Sequence, residues 1–444
     1  MRRTLIAALL GFFLIILDAS AVNIGLDAIG AGLQGGMTWL QWVVDGYTLM
    51  FAALMLSAGA LSDRIGASRA FAIGLAAFTL ASVACGLAPT LPLLVAARVV
   101  QGAAAALTMP ASLALVRQAY TDPAKRARAI SIWTAGGAAA VAAGPVAGGL
   151  LTDVWSWRGI FLINVPVGAL AWWLLRRTPA SERRAAPLDL PGQVTATVAL
   201  AALTFAVIER NVLAAVVAMA AGAAFVLVES RVARPVVPLS LFRSRAVTTS
   251  IAAGFALNVG FYGMVFLLGL YFQQVKGMSP LAAGLMFVPM TLFITTANLL
   301  SSRIAARFGN RVPIVAGQVA MMAGLLGMVL VGRDTPVLAL LMIPIGVGGG
   351  LAVPTLTAVL LDSVEPERAG LAGGLFNAIR QAGAGLAVAV FGSFTAGLTE
   401  SALIGAGLLL LTAFASLRQA RPRRVSAGGR RPASESAMSS ASRT

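Results

Sequence analysis

Residues 91–116 read LPLLVAARVVQGAAAALTMPASLALV, an apolar stretch broken by one permanent charge, Arg98, with Gln101 and Gly102 a helical turn further on. About 20 such residues in a helix cross the roughly 30 Å hydrocarbon core of a bilayer. A charge inside that core is expensive, so it faces protein, water or a partner and marks a working site. Similar runs recur at roughly 5–25, 39–60, 70–88, 129–152, 157–175, 190–208, 211–229, 246–272, 281–302, 312–332, 335–361, 369–396 and 401–417. The chain is 59% hydrophobic and only 11% charged. Ala, Leu, Gly and Val fill the runs without the ten-residue alternation of barrel strands, so the spans are helices. The reading is an all-α polytopic membrane protein with 14 transmembrane helices. Glu209 and Arg210 leave only a minimal turn between the seventh and eighth runs, which are also compatible with one broken or re-entrant segment.

Charge placement tests the count, because lysine and arginine accumulate in cytoplasmic connections. With the N-terminus inside, 27 of the 33 basic residues fall on the cytoplasmic side, among them Arg117, Lys125, Arg177, Arg183, Arg184, Arg234, Arg303 and Arg368. Only Arg158, Arg210, Lys276 and Arg333 fall outside, and Arg98 and Arg380 lie within spans. Losing one helix would invert the bias downstream, so both termini are expected in the cytoplasm. Met1-Arg2-Arg3 before an apolar run mimics a signal peptide, but here the run is expected to serve as the first span. Beyond 418 the chain turns Arg-, Ser- and Gly-rich, and 419–444 are expected to be a disordered cytoplasmic tail.

A repeat organises the spans. Asp63-Arg64-Ile65-Gly66 is echoed by Ala306-Arg307-Phe308-Gly309, Gly102–Pro110 by Gly346–Pro354, and Arg128-Ala129 by Arg368-Ala369, at nearly equal offsets and equivalent topological places. The chain therefore divides as 6+2+6: a six-helix bundle in 1–180, an inserted pair in 181–240 and a second six-helix bundle in 241–418. Eight spans separate equivalent positions, so both halves keep one orientation, as in transporters whose parallel halves rock about a midplane site.

These residues also resemble a family. Gly59-Ala60-Leu61-Ser62-Asp63-Arg64-Ile65-Gly66 looks like the major facilitator superfamily signature between helices two and three, and Arg98-Val99-Val100-Gln101-Gly102 like its fourth-helix motif. Gly144-Pro145-Val146-Ala147-Gly148-Gly149 is similar to the motif of its exporting antiporters, and Leu17-Asp18 with Val22-Asn23 resembles the first-helix signature of the fourteen-span drug:proton antiporters. Ala67 and Ser68 stand where the loop signature is usually basic, and Asp27 where the first-helix pattern usually has Pro. The resemblance implies a major facilitator fold and proton-coupled multidrug or antibiotic efflux.

Residue chemistry agrees with that implication. Asp18 lies about 13 residues above the inner end of its helix, while Asp45 and Arg98 each lie about seven below the outer end of theirs, so all three reach a similar depth at 1.5 Å per residue. An arginine keeps a neighbouring carboxylate charged and loss of solvent drives it to take a proton, which is what proton coupling needs. Asp18, Asp45 and Arg98 are the expected coupling residues. Gly59, Asp63, Arg64 and Gly66 form the expected gating loop, clamping the halves through charge and helix-end contacts. Gly144, Pro145, Gly148 and Gly149 permit close helix approach and a bend. Gln101, Asn258, Tyr262, Asn377 and Arg380 are candidate substrate contacts, with Phe261 and Phe266 offering aromatic surface near Asn258. Arg380 has no clearly intramembrane acid in its own half, since Asp334, Asp362, Glu365, Glu367 and Glu400 lie in connections.

Other classes fit poorly. There is no histidine, and the one cysteine, Cys85, lies inside a span, so no metal or disulfide site is expected and an enzyme is disfavoured. No Walker-type GxxxxGK[ST] is present, and no cofactor is expected beyond the proton gradient. The formal charge of +17 sits between spans instead of on a soluble face, which argues against nucleic acid. The expected partners are a small-molecule substrate, protons and the lipid bilayer, with the protein a monomer. A dedicated exporter of one endogenous metabolite, an importer on the same fold and a non-transporting membrane sensor are the alternatives. Only Lys125 and Lys276 are lysines among the 33 basic residues, a bias of GC-rich bacterial genes, and a bacterial inner membrane is the expected location.

Overall fold

A computed structural model describes residues 2–176, 181, 189–232, 235, 237–330, 334–364, 369–393 and 397–418. Arg177, Arg183, Arg184, Arg234, Arg333, Glu365, Glu367, Arg368 and the tail from 419 lie outside the described residues. The candidate spans are α1 (Arg2–Leu33), α2 (Met37–Ile65), α3 (Ala67–Leu87), α4 (Leu91–Ala119), α5 (Pro123–Val154), α6 (Arg158–Leu175), α7 (Leu190–Ile208), α8 (Val212–Arg231), α9 (Arg245–Val275), α10 (Pro280–Phe308), α11 (Arg311–Leu330), α12 (Thr335–Asp362), α13 (Ala369–Ser393) and α14 (Leu398–Leu417). Thirteen are long and apolar enough to cross a membrane, and α2 makes a fourteenth when its two parts, bent by 61° between Met55 and Ser57, count as one.

Local chemistry sets the ends and bends. Asp122, Asp189, Asn211, Ser244 and Ser279 cap the helices that follow them, each side chain accepting from a backbone N–H in the first turn. Arg210 takes a left-handed φ of 50°, and this single-residue reversal separates α7 from α8 as two helices, each long enough to span. A side chain from another helix sits at the bend in α2, an arrangement that kinks helices. Gln193 of α7 donates from Nε2 to the carbonyl of Ala53 at 2.6 Å, the acceptor that the Ser57 amide would use in a straight helix, and the Ser57 hydroxyl donates to Gln193 Oε1.

The helix pairings of the first six spans recur in the last six with each index raised by eight. In the first, α1 packs on α4, α5 and α6, α2 on α4, and α3 on α4 and α6; in the last, α9 packs on α12, α13 and α14, α10 on α12, and α11 on α12 and α14. The two sets meet chiefly where α2 lies against α13 and α5 against α10. An apolar seam containing Ile29, Val43, Val44, Phe266, Leu270 and Val388 joins them. α7 and α8 pack mainly on each other, with α7 also touching α2 and α13. Only 6% of the apolar window of α8 is buried, so its Val212, Leu213 and Met219 face outward. Outward apolar surface of this kind suits contact with lipid.

Candidate functional site

Arg98 and Asp18 are buried inside the first six spans, at 1% and 0% exposure, and form the one ion pair found among the described residues. Arg98 Nη1 donates to Asp18 Oδ2 at 2.5 Å and to Gln101 Oε1 at 2.7 Å, and its Nε donates to the carbonyl of Val43 at 3.0 Å. The other carboxylate oxygen accepts from Gln101 Nε2 at 3.0 Å and Asn164 Nδ2 at 2.9 Å. Ser82 receives both amides and passes its own proton to the carbonyl of Phe78. The guanidinium carbon lies 4.3 Å from the ring centre of Tyr47 and 5.8 Å from that of Phe161. Five helices thus converge on one pair. A buried charge is tolerable when its partner and remaining lone pairs are satisfied, and here both carboxylate oxygens are.

Asp45 does not join this group, contrary to the expectation that three charges at one depth act together. Residues 43 and 47 lie on one face of α2, against Arg98, whereas position 45 is turned about 200° from 43 by the 100° step of the helix. Its side chain is fully buried, Oδ1 accepts from Thr48 at 3.4 Å, and Oδ2 has no hydrogen-bond partner among the described residues. Asp45 Oδ1 and Thr48 Oγ1 both border Gly385 of α13, which places Asp45 on the seam between the two sets of spans.

The seam is closed at the end of the molecule that holds the α1–α2 turn. Gln41 Nε2 donates to the carbonyls of Ala389 at 2.8 Å and Val388 at 3.3 Å. Gln273 Nε2 donates to Ile24 O at 2.9 Å, and the Leu281 amide donates to Asp153 Oδ2 at 3.1 Å. The glycine motif of α5 sits in this closure: a Cβ on Gly148 would strike the backbone of Ala21 in α1, and one on Gly149 the backbone of Pro280 and Leu281 in α10. Gly144 likewise faces Ser20, and the backbone carbonyl of Pro145 faces Gly284. Small residues are what allow α1, α5 and α10 to approach this closely. At the opposite end Asp63 and Arg64 are exposed, and no ion pair joins them to another helix among the described residues. Gly66 adopts φ 92°, a conformation that favours glycine, where α2 passes into α3.

Of the candidate substrate contacts, Gln101 belongs to the Asp18 network and is fully buried. Asn258, Tyr262, Asn377 and Arg380 gather between α9 and α13. Arg380 Nε donates to Asn258 Oδ1 at 3.1 Å and Nη1 to Asn377 Oδ1 at 3.3 Å, while Asn258 Nδ2 donates to the Arg380 carbonyl at 2.9 Å. Tyr262 and Gln381 face Asn23, Tyr47 and Phe51 across a central space of only about 20 Å³, enough for about one water. A drug-sized ligand needs roughly 300–1,000 Å³, so this space as it stands is too small to hold one. Asn164 and Ser82 in the Asp18 network, and Gln41 and Thr48 on the seam, are positions that sequence reasoning misses. Asn164 carries a signal, being a lone amide in the apolar sixth run; the others are common small or polar residues whose role comes from packing.

Residues 8–388 match the family model described as Major Facilitator Superfamily. The methylenomycin A resistance protein of Streptomyces coelicolor is 41% identical over 394 residues, covering 86% of this chain and 83% of that protein. The multidrug resistance protein Stp of Mycobacterium tuberculosis is 38% identical over 405 residues, covering 88% of this chain and 75% of that one. In fold, the chain is similar to the crystal structure of peptide transporter POT in complex with sulfate, with a TM-score of 0.73 at 15% identity over 93% of each chain. It is also similar to the D-xylose-proton symporter, with a TM-score of 0.69 at 15% identity over 93% of this chain and 96% of that one. By the family model and by sequence relatives that carry drug- and antibiotic-resistance names, this multi-pass membrane protein belongs to the major facilitator superfamily of transporters.

Proposed function

We propose that the protein exports small amphipathic organic compounds, drugs or antibiotics among them, in exchange for protons by alternating access. The observation that carries this reading is the pair of buried acids in unlike settings. Asp18 has both oxygens filled by Arg98, Gln101 and Asn164. Asp45 keeps an oxygen without a partner on the seam that must part for the carrier to open. Sequence alone groups Asp18, Asp45 and Arg98 as coupling residues; the geometry favours Asp45 as the first acceptor, with the Asp18–Arg98 pair following when Tyr47 and Val43 of α2 shift against Arg98. A proton on Asp45 removes the charge that closure otherwise buries, so protonation and opening are linked.

The recurring helix pairings support two six-helix bundles in 1–180 and 241–418 with an inserted pair in 181–240, and the arginine bias supports cytoplasmic termini, a bacterial inner membrane and, with it, a structure closed toward the outside. Asp63 and Arg64 then lie at the cytoplasmic end, where they are expected to clamp the carrier after it opens outward. The protein is taken to act as a monomer. The test is expression in a pump-deficient bacterium, followed by survival and accumulation across a panel of amphipathic compounds with and without an uncoupler. Uncoupler-sensitive exclusion lost in Asp45→Asn supports the reading; exclusion indifferent to the uncoupler would contradict it. The second reading, a dedicated exporter of one compound, draws support from relatives named for single antibiotics, methylenomycin A and tetracenomycin C. A single excluded compound across the panel would favour it.

A further inference from the structure

The central space holds about one water, yet a cavity of about 680 Å³ lies at the closed end, within the drug-sized range. Its walls come from parts of the chain far apart in sequence: Thr38 and Gln41 of α2, Glu209 and Arg210 at the α7–α8 turn, Tyr271 and Gln274 at the end of α9, and Ser393 at the end of α13. Leu267, Leu270, Val275 and Leu398 supply an apolar surface. The α9 end is wound as a π-turn over Tyr271–Val275, a form concentrated at functional positions.

Two acceptors on these walls have lone pairs that no described residue fills. Gln41 is 2% exposed and spends its amide N–H groups on Val388 and Ala389, while its Oε1 accepts from no described residue. Glu209 accepts from Trp42 Nε1 at 3.0 Å through Oε1 and has no ion-pair partner among the described residues, leaving Oε2 free. The neighbouring cation, Arg210, also lines the cavity and spends its Nη2 on the carbonyl of Ser393 at 2.6 Å, and Lys276 Nζ lies 5.8 Å from the Tyr271 ring centre. An apolar surface with a free carboxylate oxygen and a free amide oxygen suits a ligand with an apolar body and an N–H donor.

We propose that this cavity is a second ligand site, apart from the central path, which takes drug-sized amphipathic amines and exists only while the seam is closed. The cavity is assembled by the contacts that close the seam: Gln41 is tied to α13, and the α7–α8 turn is tied to α2 through Glu209 and to α13 through Arg210. A ligand that touches all of these binds the closed form and not the open one, so occupancy shifts the carrier toward closure. The inserted pair is thereby given a task, since the turn between α7 and α8 contributes the charged roof of the site.

The test uses the full chain in nanodiscs, with dansylcadaverine and its N-acetyl derivative as probes that share one fluorophore and differ in charge. The wild type is expected to bind the amine roughly tenfold more tightly than the amide, the worth of one charge-assisted hydrogen bond. Glu209→Gln is expected to erase that difference while keeping amide binding. Val275→Trp, which fills the cavity, is expected to weaken both probes. In a Thr38→Cys variant the amine is expected to slow thiol alkylation; Cys85 is buried and needs no replacement. Equal affinity for the two probes, unchanged binding in Val275→Trp, or protection of the introduced thiol by the nanodisc lipid without probe would each overturn the proposal. No proton gradient is present in these measurements, so their outcome is separate from whether export is proton-driven. Loss of uncoupler-sensitive export in cells would leave the binding result standing, and the converse holds too.

Discussion

Replacing Asp18 by Asn keeps the shape of the side chain and removes its charge, which isolates what the buried pair contributes. Arg98 Nη1, Gln101 Nε2 and Asn164 Nδ2 all donate to the Asp18 carboxylate. An asparagine amide turned either way places its NH2 group against at least one of these donors. Arg98, 1% exposed, is then left without a charged partner, among the neutral groups Gln101 Oε1, the Val43 carbonyl and the Tyr47 and Phe161 rings. Breaking a buried pair from one side costs about 3–5 kcal/mol, whereas replacing both partners by well-packed neutral groups is often close to neutral. Asp18→Asn and Arg98→Met should therefore each lower the thermal midpoint, measured by fluorescence-detected size exclusion in one detergent, and the double variant should recover most of the loss. The coupling between the two sites, read as departure from additivity, should reach about 2 kcal/mol or more. A double variant whose loss equals the sum of the single losses would show that the pair is not a unit and would refute the network as described.

Asp45→Asn breaks no ion pair, so its thermal midpoint should stay close to the wild type while uncoupler-sensitive export disappears; a large stability loss would show a structural role instead. Gly149→Val puts side-chain atoms against the backbone of Pro280 and Leu281, and should widen the distance between spin labels at Trp155 and Lys276; an unchanged distribution would mean that α5 and α10 do not close the seam there. Gln193→Leu leaves the Ala53 carbonyl free to take back the Ser57 amide, so α2 should straighten; amide exchange over residues 57–65 should slow, and faster or unaltered exchange would point to another cause for the bend.

Much of this fold is legible in the sequence because hydrocarbon tolerates so few alternatives. Run lengths locate the long apolar helices, and even the minimal Glu209-Arg210 turn separates two of them. Three short echoes point to a repeat that the helix pairings reproduce. The site is legible only in part. Arg98 and Asp18 stand out because a charge in an apolar run is too costly to be there without a task. Depth along a helix, however, says nothing about direction around it, and grouping Asp45 with Arg98 by depth fails because the helix turns Asp45 toward α13. Gln101, assigned to substrate by its position, instead spends its amide inside the Asp18 network. The bend in α2 and the closing bonds of Gln41 and Gln273 depend on partners far along the chain, and no local pattern encodes them.

In the proposed antiport, substrate and proton move in opposite directions through one carrier. Purified protein in liposomes containing a pH-sensitive dye and loaded with an exported compound, then given an inward or outward pH gradient, measures both fluxes together. Antiport predicts compound movement against the proton flux, accelerated by the gradient, abolished by an uncoupler, and lost as net flux in Asp45→Asn. Compound and protons moving in the same direction, or compound flux unaffected by the gradient, would contradict it.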